Sequence, residues 1–186
     1  MKRLVCAAFA ALLLISMAAA QNPPAPPKPA PELQRLKFFE GSWSITGTSA
    51  PGPWGPGGKF TVSEENAWGL GGFFLITKST FKEGTGMTGN GVAYSGYDAN
   101  KKKYTYDEFN SMGEAGHSIG TVNDKTWTWT KIEIGGQKIN GRFTLTETSP
   151  TSHNMKYEFS TDGGATWNTA WEGTGTKQGG GTSKKK

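Results

Sequence analysis

Residues 155–171 read MKYEFSTDGGATWNTAW, and this stretch decides the architecture. Met155, Tyr157 and Phe159 alternate with Lys156, Glu158 and Ser160, the period of two expected of a strand with one dry and one wet face. Asp162-Gly163-Gly164 then supplies residues that tolerate the positive φ of a tight hairpin. Beyond the turn, Trp167, Thr169 and Trp171 share one face of a second strand. A connection this short forces the two strands to run antiparallel.

The same reading extends up the chain. Strands are expected over 42–49, 59–68, 73–82, 90–97, 103–111, 116–122, 126–134, 138–148, 153–161 and 166–175. Asp98-Ala99-Asn100, Asn123-Asp124 and Gly135-Gly136 fall between them as further turns. An up-and-down meander of about ten strands has two edges, and closing it into a barrel removes both. The expectation is therefore an all-β, single antiparallel barrel, with two stacked sheets as the alternative. Before the first strand, Pro31 suits a first helical turn, Leu33, Leu36 and Phe39 share a face, and Gly41 ends the run. This is a short N-terminal helix and the one helix expected.

Two segments are apolar on both faces. Phe73 to Ile76 is one, and it needs the helix, a loop or a partner on its second side. The other sets Trp127 and Trp129 against Ile132 and Ile134, where a bulge near Lys131 would switch the parity.

Outside the barrel the chain has no core-forming content. Lys2 and Arg3 precede the apolar run Leu4 to Met17, and Ala18-Ala19-Ala20 offers small residues for cleavage, so residues 1–20 read as a signal peptide. The protein is then exported, periplasmic or extracellular, with no membrane span after cleavage. Cys6, the single cysteine, leaves with the leader, so the mature chain has no disulfide or thiolate ligand. Residues 21–30 form a proline-rich spacer, 31–177 the barrel domain, and 178–186 a glycine- and lysine-rich tail. The formal charge of +5 falls to about +3 without Lys2 and Arg3, and Lys184, Lys185 and Lys186 account for the rest. A near-neutral body argues against nucleic acid as a partner.

A short helix followed by Phe39-Glu40-Gly41-Ser42-Trp43 resembles the opening of lipocalin-like, or calycin, barrels. Gly89-Asn90-Gly91, Tyr94 to Asp98, Lys102-Lys103-Tyr104, Phe109 to Gly113 and Trp167 to Glu172 are similar to an uncharacterised bacterial family of exported calycin-like barrels, a domain of unknown function. The resemblance implies a lipocalin- or nitrobindin-type fold over nearly all of 31–177 and carries no agreed activity. Calycin relatives hold fatty acids, retinoids or haem in the bore, and haem-binding relatives of the nitrobindin type use a late histidine. Here only His117 and His153 are available, and His153, at a strand start beside the Pro150 turn, is expected to be exposed. No cofactor is expected.

Candidate chemistries are few. Ser160-x-Asp162-x-Gly164-x-Thr166-Trp167 matches the Asp-box hairpin of sialidase propellers; one copy, with only Arg35 and Arg142 after the leader, reads as a turn stabiliser. Two distant histidines and no mature cysteine imply no metal site. Glu64-Glu65 and Asp107-Glu108 are neighbours that point to opposite faces, so neither pair shares a site; an inward Glu64 or Glu108 would need hydrogen bonds or a shifted pKa. A hydrolase built on His117 lacks a marked nucleophile.

The remaining signal is aromatic: seven Trp, five Tyr and ten Phe, of which Phe9 lies in the leader. Parity makes Trp43, Phe60, Phe74, Tyr94, Trp129, Phe143 and Tyr157 the candidates for the barrel interior, with Trp54, on the Pro51 to Gly58 loop, as a lid. The functional expectation is a non-enzymatic barrel that binds a small apolar ligand. The alternative is a ligand-free envelope interaction protein with a packed interior.

Overall fold

The computed structural model describes residues 26–52, 55–84, 86–134 and 137–179. The leader, the start of the spacer, Trp54 with its lid role, and the last seven residues lie outside them. Ten strands follow one another as β1 (Gly41–Ser49), β2 (Gly58–Gly69), β3 (Phe74–Glu83), β4 (Thr88–Asp98), β5 (Lys103–Asn110), β6 (Ala115–Asn123), β7 (Thr126–Ile134), β8 (Gln137–Ser149), β9 (Ser152–Ser160) and β10 (Asn168–Lys177). Each pairs antiparallel with its sequence neighbours, and β10 pairs with β1 from Trp43↔Lys177 to Ser49↔Trp171. The barrel is closed and no edge remains. Stacked sheets are thereby excluded.

The turns work as their residues suggest. Asp98 Oδ1 accepts the N–H groups of Asn100 and Lys101, each at 3.0 Å. Asp124 adopts φ 50° in the tight β6–β7 hairpin. In the Asp-box, Asp162 accepts the Thr166 N–H at 2.9 Å, the Thr166 hydroxyl at 2.6 Å and the Ser160 hydroxyl at 2.7 Å. Those bonds hold Thr166 in the turn, which is why β10 begins two residues later than alternation suggests.

The N-terminal segment Pro31–Phe39 is a 3-10 helix. Leu33, Leu36 and Phe39 stand three apart, and three residues per turn puts them in register on one face. Leu33 and Leu36 are buried against Leu75, Tyr104 and Trp127. The helix closes one end of the barrel like a stopper. Tyr104 donates its hydroxyl to the Glu32 carbonyl at 3.0 Å, and Trp43 Nε1 donates to the Phe39 carbonyl at 2.8 Å. A second 3-10 turn, Leu70–Gly72, joins β2 to β3 with Gly71 at φ 71°, so the first helix is not the only one.

The doubly apolar segment at Phe73 uses both faces within the barrel wall. Leu75 points inward to the helix, while Phe74 and Ile76 lie on the outer face, over Gly96 and Gly69. An added Cβ on Gly96 would sit 2.7 Å from the Phe74 ring, and one on Gly69 2.3 Å from Ile76 Cδ1. The large side chains fill grooves that the glycines leave in the neighbouring strand. In β7 the pairing register shifts between Ile132 and Ile134, just past the position where a parity switch is expected.

Candidate functional site

Above the stopper the bore is hollow. A cavity of about 840 Å³ runs from Phe39 and His153 at the sealed end to Ser49, Glu83, Asn110 and Glu114 at the opposite rim. It lies in the upper part of the roughly 300–1,000 Å³ range of small-molecule sites. The large aromatics do not plug it because several lie flat along the wall. Trp129 stands opposite Gly120, and Phe60 opposite Gly47. A Cβ on Gly120 would be 2.4 Å from the Trp129 ring, and one on Gly47 2.5 Å from the Phe60 ring. Glycine at these two places is what allows the rings to fold down onto the strand beside them.

The wall has two characters. Around β8, β9, β10 and β1, Phe143, Met155, Tyr157, Trp171 and Ile45 make an apolar face joined by Phe60. Trp171 is its hub, 5.1 Å from Tyr157 in a near-stacked pair and 5.4 Å from Phe143. Around the second half of β2 and β3 to β6 the polar residues Glu64, Asn66, Thr77, Ser79, Ser95, Tyr106, Glu108 and Ser118 turn inward, interleaved with Leu75, Phe81 and Ala93. Asn66 accepts a hydrogen bond from Thr77, and Glu108 pairs with Lys131 of β7 at 2.9 Å.

Among the described residues three groups lining this interior lack a usual partner: the Tyr157 hydroxyl, His153 Nδ1 and the Glu64 carboxyl. The Tyr157 hydroxyl, on a side chain only 9% exposed, has no hydrogen-bond partner among the described residues. Burial, then the nearby Glu108 charge, pushes it up to about 12. The Glu64 carboxyl is raised above the ordinary glutamate range by burial, which the Asn66 amide offsets only in part, and no cation pairs with it among the described residues. Tyr106 is raised well above the ordinary tyrosine value by burial, with Glu108 and Glu64 adding to it.

The structure sorts the sequence candidates into three groups. Phe60, Trp129, Phe143 and Tyr157 face the cavity. Trp43 points inward but is 2% exposed in the floor, where it packs on Phe38 and His153. Phe74 and Tyr94 are corrections: both stand on the outer face, edge to face at 6.5 Å, because small Ala93 and Ser95 take the inward positions of β4. His153 is also corrected. It is 3% exposed and turned into the barrel over Gly175, and burial pushes it down to about 4. The turn beside it lies at the sealed end, where the stopper covers it.

Glu64 and Glu108 both point inward, the arrangement in which a carboxylate needs a partner. Tyr106, Lys131 and Trp171 complete the cavity, and period-two counting from Glu108, Trp129 and Tyr157 would have found the first two. His117 points outward and meets Asp107 at 2.6 Å on the exposed face. Among the described residues no group of three or more His, Cys, Asp or Glu could hold a metal, and no helix is long and apolar enough to cross a membrane.

The closed ten-strand calycin-like barrel agrees with the match of residues 28–176 to a family model described as "Protein of unknown function (DUF1579)". The chain belongs to the DUF1579 family. No curated protein matches it. Among solved structures, Rv2717c from M. tuberculosis superposes with a TM-score of 0.58 at 12% identity, covering 81% of this chain and 99% of that one. The S-type phycobiliprotein lyase CPES from Guillardia theta superposes with a TM-score of 0.56 at 10% identity, covering 80% of this chain and 93% of that one. At these identities the likeness is one of fold: this DUF1579 protein shares their barrel.

Proposed function

We propose that this DUF1579 protein is an exported, non-enzymatic binding protein that takes one small, largely apolar molecule into its barrel. The observation that carries the reading is the open cavity of about 840 Å³ behind a well-packed stopper. An interaction protein stabilised by a packed interior would have no reason to leave that volume empty, since unfilled space forfeits dispersion contacts. Entry is from the rim opposite the helix, where Met87, Phe109 and Met112 are 39%, 50% and 51% exposed. Exposed apolar side chains at a cavity mouth suit the passage of an apolar molecule. The reading of residues 1–20 as a signal peptide supports export to the periplasm or beyond the cell.

Titration of the mature protein with the neutral fluorescent probe N-phenyl-1-naphthylamine tests this. One saturable site is expected, with emission shifted to the blue. Ala93→Trp or Ser79→Phe, which project new side chains into the bore, should remove the signal while the circular dichroism of the barrel persists. A signal that survives both substitutions would place the probe elsewhere and contradict the reading.

A further inference from the structure

We infer that the occupant of this cavity carries a cationic nitrogen, an amine or ammonium group on an apolar body, which Glu64 receives as counter-ion, with the unbonded hydroxyl of Tyr157 in the same cavity as a further acceptor. The inference rests on the binding role proposed above and adds the charge of the ligand.

The charge of the lining is the first support. Glu64, Glu83, Glu108 and Glu114 face the cavity, and Lys131 is the single lysine or arginine among its described lining residues. Lys131 is already committed to Glu108 at 2.9 Å. Glu114 is held at the rim by the Asn110 amide at 2.6 Å, whereas Glu64 lies within the barrel wall beside Trp43 and Ser79. A low-dielectric wall around an excess of one sign focuses the field and raises the local concentration of the opposite charge.

The second support is independent of charge. Tyr157 is buried, lines the same cavity, and its oxygen has no partner. Leaving such a group dry is costly unless an occupant bonds to it. A phenolic oxygen accepts a hydrogen bond from an ammonium N–H as readily as it donates elsewhere. The third support is the aromatic face. Tyr157 stacks on Trp171 at 5.1 Å, and Tyr106 stands 5.7 Å from Trp129. Ring faces flanked by carboxylates are the surroundings in which organic cations are held, through their attraction to the ring quadrupole. An anionic ligand would instead have to enter against Glu83 and Glu114 and displace Lys131 from Glu108.

Three probes of equal length separate the claims: decylamine, decanol and decanoate, each measured at pH 7.5 by displacement of N-phenyl-1-naphthylamine. The amine should bind at least about tenfold more tightly than the alcohol, and the carboxylate more weakly than either. In Glu64→Gln the ratio of amine to alcohol affinity should fall to within about threefold. Because that variant changes the interior, the native chain supplies a second reading. Lowering the pH protonates Glu64 while decylamine keeps its charge, so the same ratio should decline. The other titratable groups of the interior are Glu83, Tyr106, Glu108, Glu114, Lys131, His153 and Tyr157; repeating the titration in Glu64→Gln, where the decline should vanish, separates Glu64 from them. Equal binding of amine and alcohol, or tighter binding of decanoate, would overturn the cation while leaving the binding role in place. Failure of all three probes to displace the dye would overturn both.

Discussion

The sealed end and the hollow middle of this barrel are built from the same residue types and treated in opposite ways. At the sealed end Trp43, Tyr104 and Trp127 are buried, and each gives its polar hydrogen to a fixed acceptor: the Phe39 carbonyl, the Glu32 carbonyl and, at 2.8 Å, Glu147. Arg35 holds that same carboxylate at 3.1 Å and lies over the Trp127 ring. Two atoms at that end, Trp68 Nε1 and His153 Nδ1, find no hydrogen-bond partner among the described residues. In the middle, Tyr157 and Glu64 line open space, the one with an unbonded hydroxyl and the other with no counter-charge among the described residues. The polar hydrogens of Trp43, Tyr104 and Trp127 are committed to the stopper and its surroundings, whereas the hydroxyl of Tyr157 and the carboxyl of Glu64 face the space a ligand can reach.

Truncation should expose this division most strongly. Leu36, fully buried in the stopper, should cost about 2–5 kcal/mol as Leu36→Ala, whereas half-buried Val62 at the cavity wall should cost about 1 kcal/mol as Val62→Ala. Urea denaturation of both variants measures the difference, and equal costs would break the comparison.

Acid should act next, through the floor. The folded-state value of about 4 for His153 lies below the ordinary 6.5, so the unfolded chain binds the extra proton between those values. Stability present above pH 6.5 is therefore lost as the pH falls toward 4, by on the order of 3 kcal/mol at most. His153→Phe should flatten that slope in urea midpoints measured across the window. Glu64 has the opposite sign. Its raised folded value makes the folded state hold its proton longer, a contribution present below the ordinary value of 4.5 and lost as pH rises through the folded one. Ligand-free Glu64→Gln should accordingly be more stable than the native chain at pH 8, the reverse of what a structural carboxylate would do.

Wall geometry gives a smaller effect. Gly120→Ala sets a methyl 2.4 Å from the Trp129 ring, which must tilt into the bore; about 1–3 kcal/mol of stability and part of the affinity for N-phenyl-1-naphthylamine should go together. Smallest of all, Asp162→Ala should leave global stability nearly unchanged and show itself as faster amide exchange at Gly164 and Thr166, whose N–H groups the Ser160 and Asp162 side chains hold. Asp162 itself is kept well below the ordinary aspartate range by the Thr166 hydroxyl and N–H, then by Ser160, so this loop should keep its bonds through mild acid.

The strands were legible because alternation and turn residues are local signals, and every expected strand lies within two residues of an observed one. Parity was legible on β2, β7, β8 and β9, where one face is clearly apolar. It failed at the sealed-end half of β3 and at β4, where Phe74 and Tyr94 cover the outer face and Leu75, Ala93 and Ser95 turn inward. Size is a poor guide to the inside when glycines in a neighbouring strand open grooves on the outside. His153 was misplaced for a different reason: a residue beside a turn is exposed only if nothing caps that end, and the capping helix lies more than a hundred residues earlier in the chain. In the polar half of the cavity alternation alone could place Tyr106, Glu108 and Lys131 on inward faces, but not the pairing of Glu108 with Lys131, which reaches across β6 from β5 to β7.

The central claim, a hollow interior that takes one small apolar molecule, is tested most directly by mass. The protein purified from the cells that make it would be weighed under non-denaturing conditions, before and after extraction with organic solvent, and then after exposure to an equimolar mixture of decylamine, decanol and decanoate. A single discrete adduct of one molecule per chain, lost on extraction and regained from the mixture, is the predicted result. A bare polypeptide mass at every stage would contradict it.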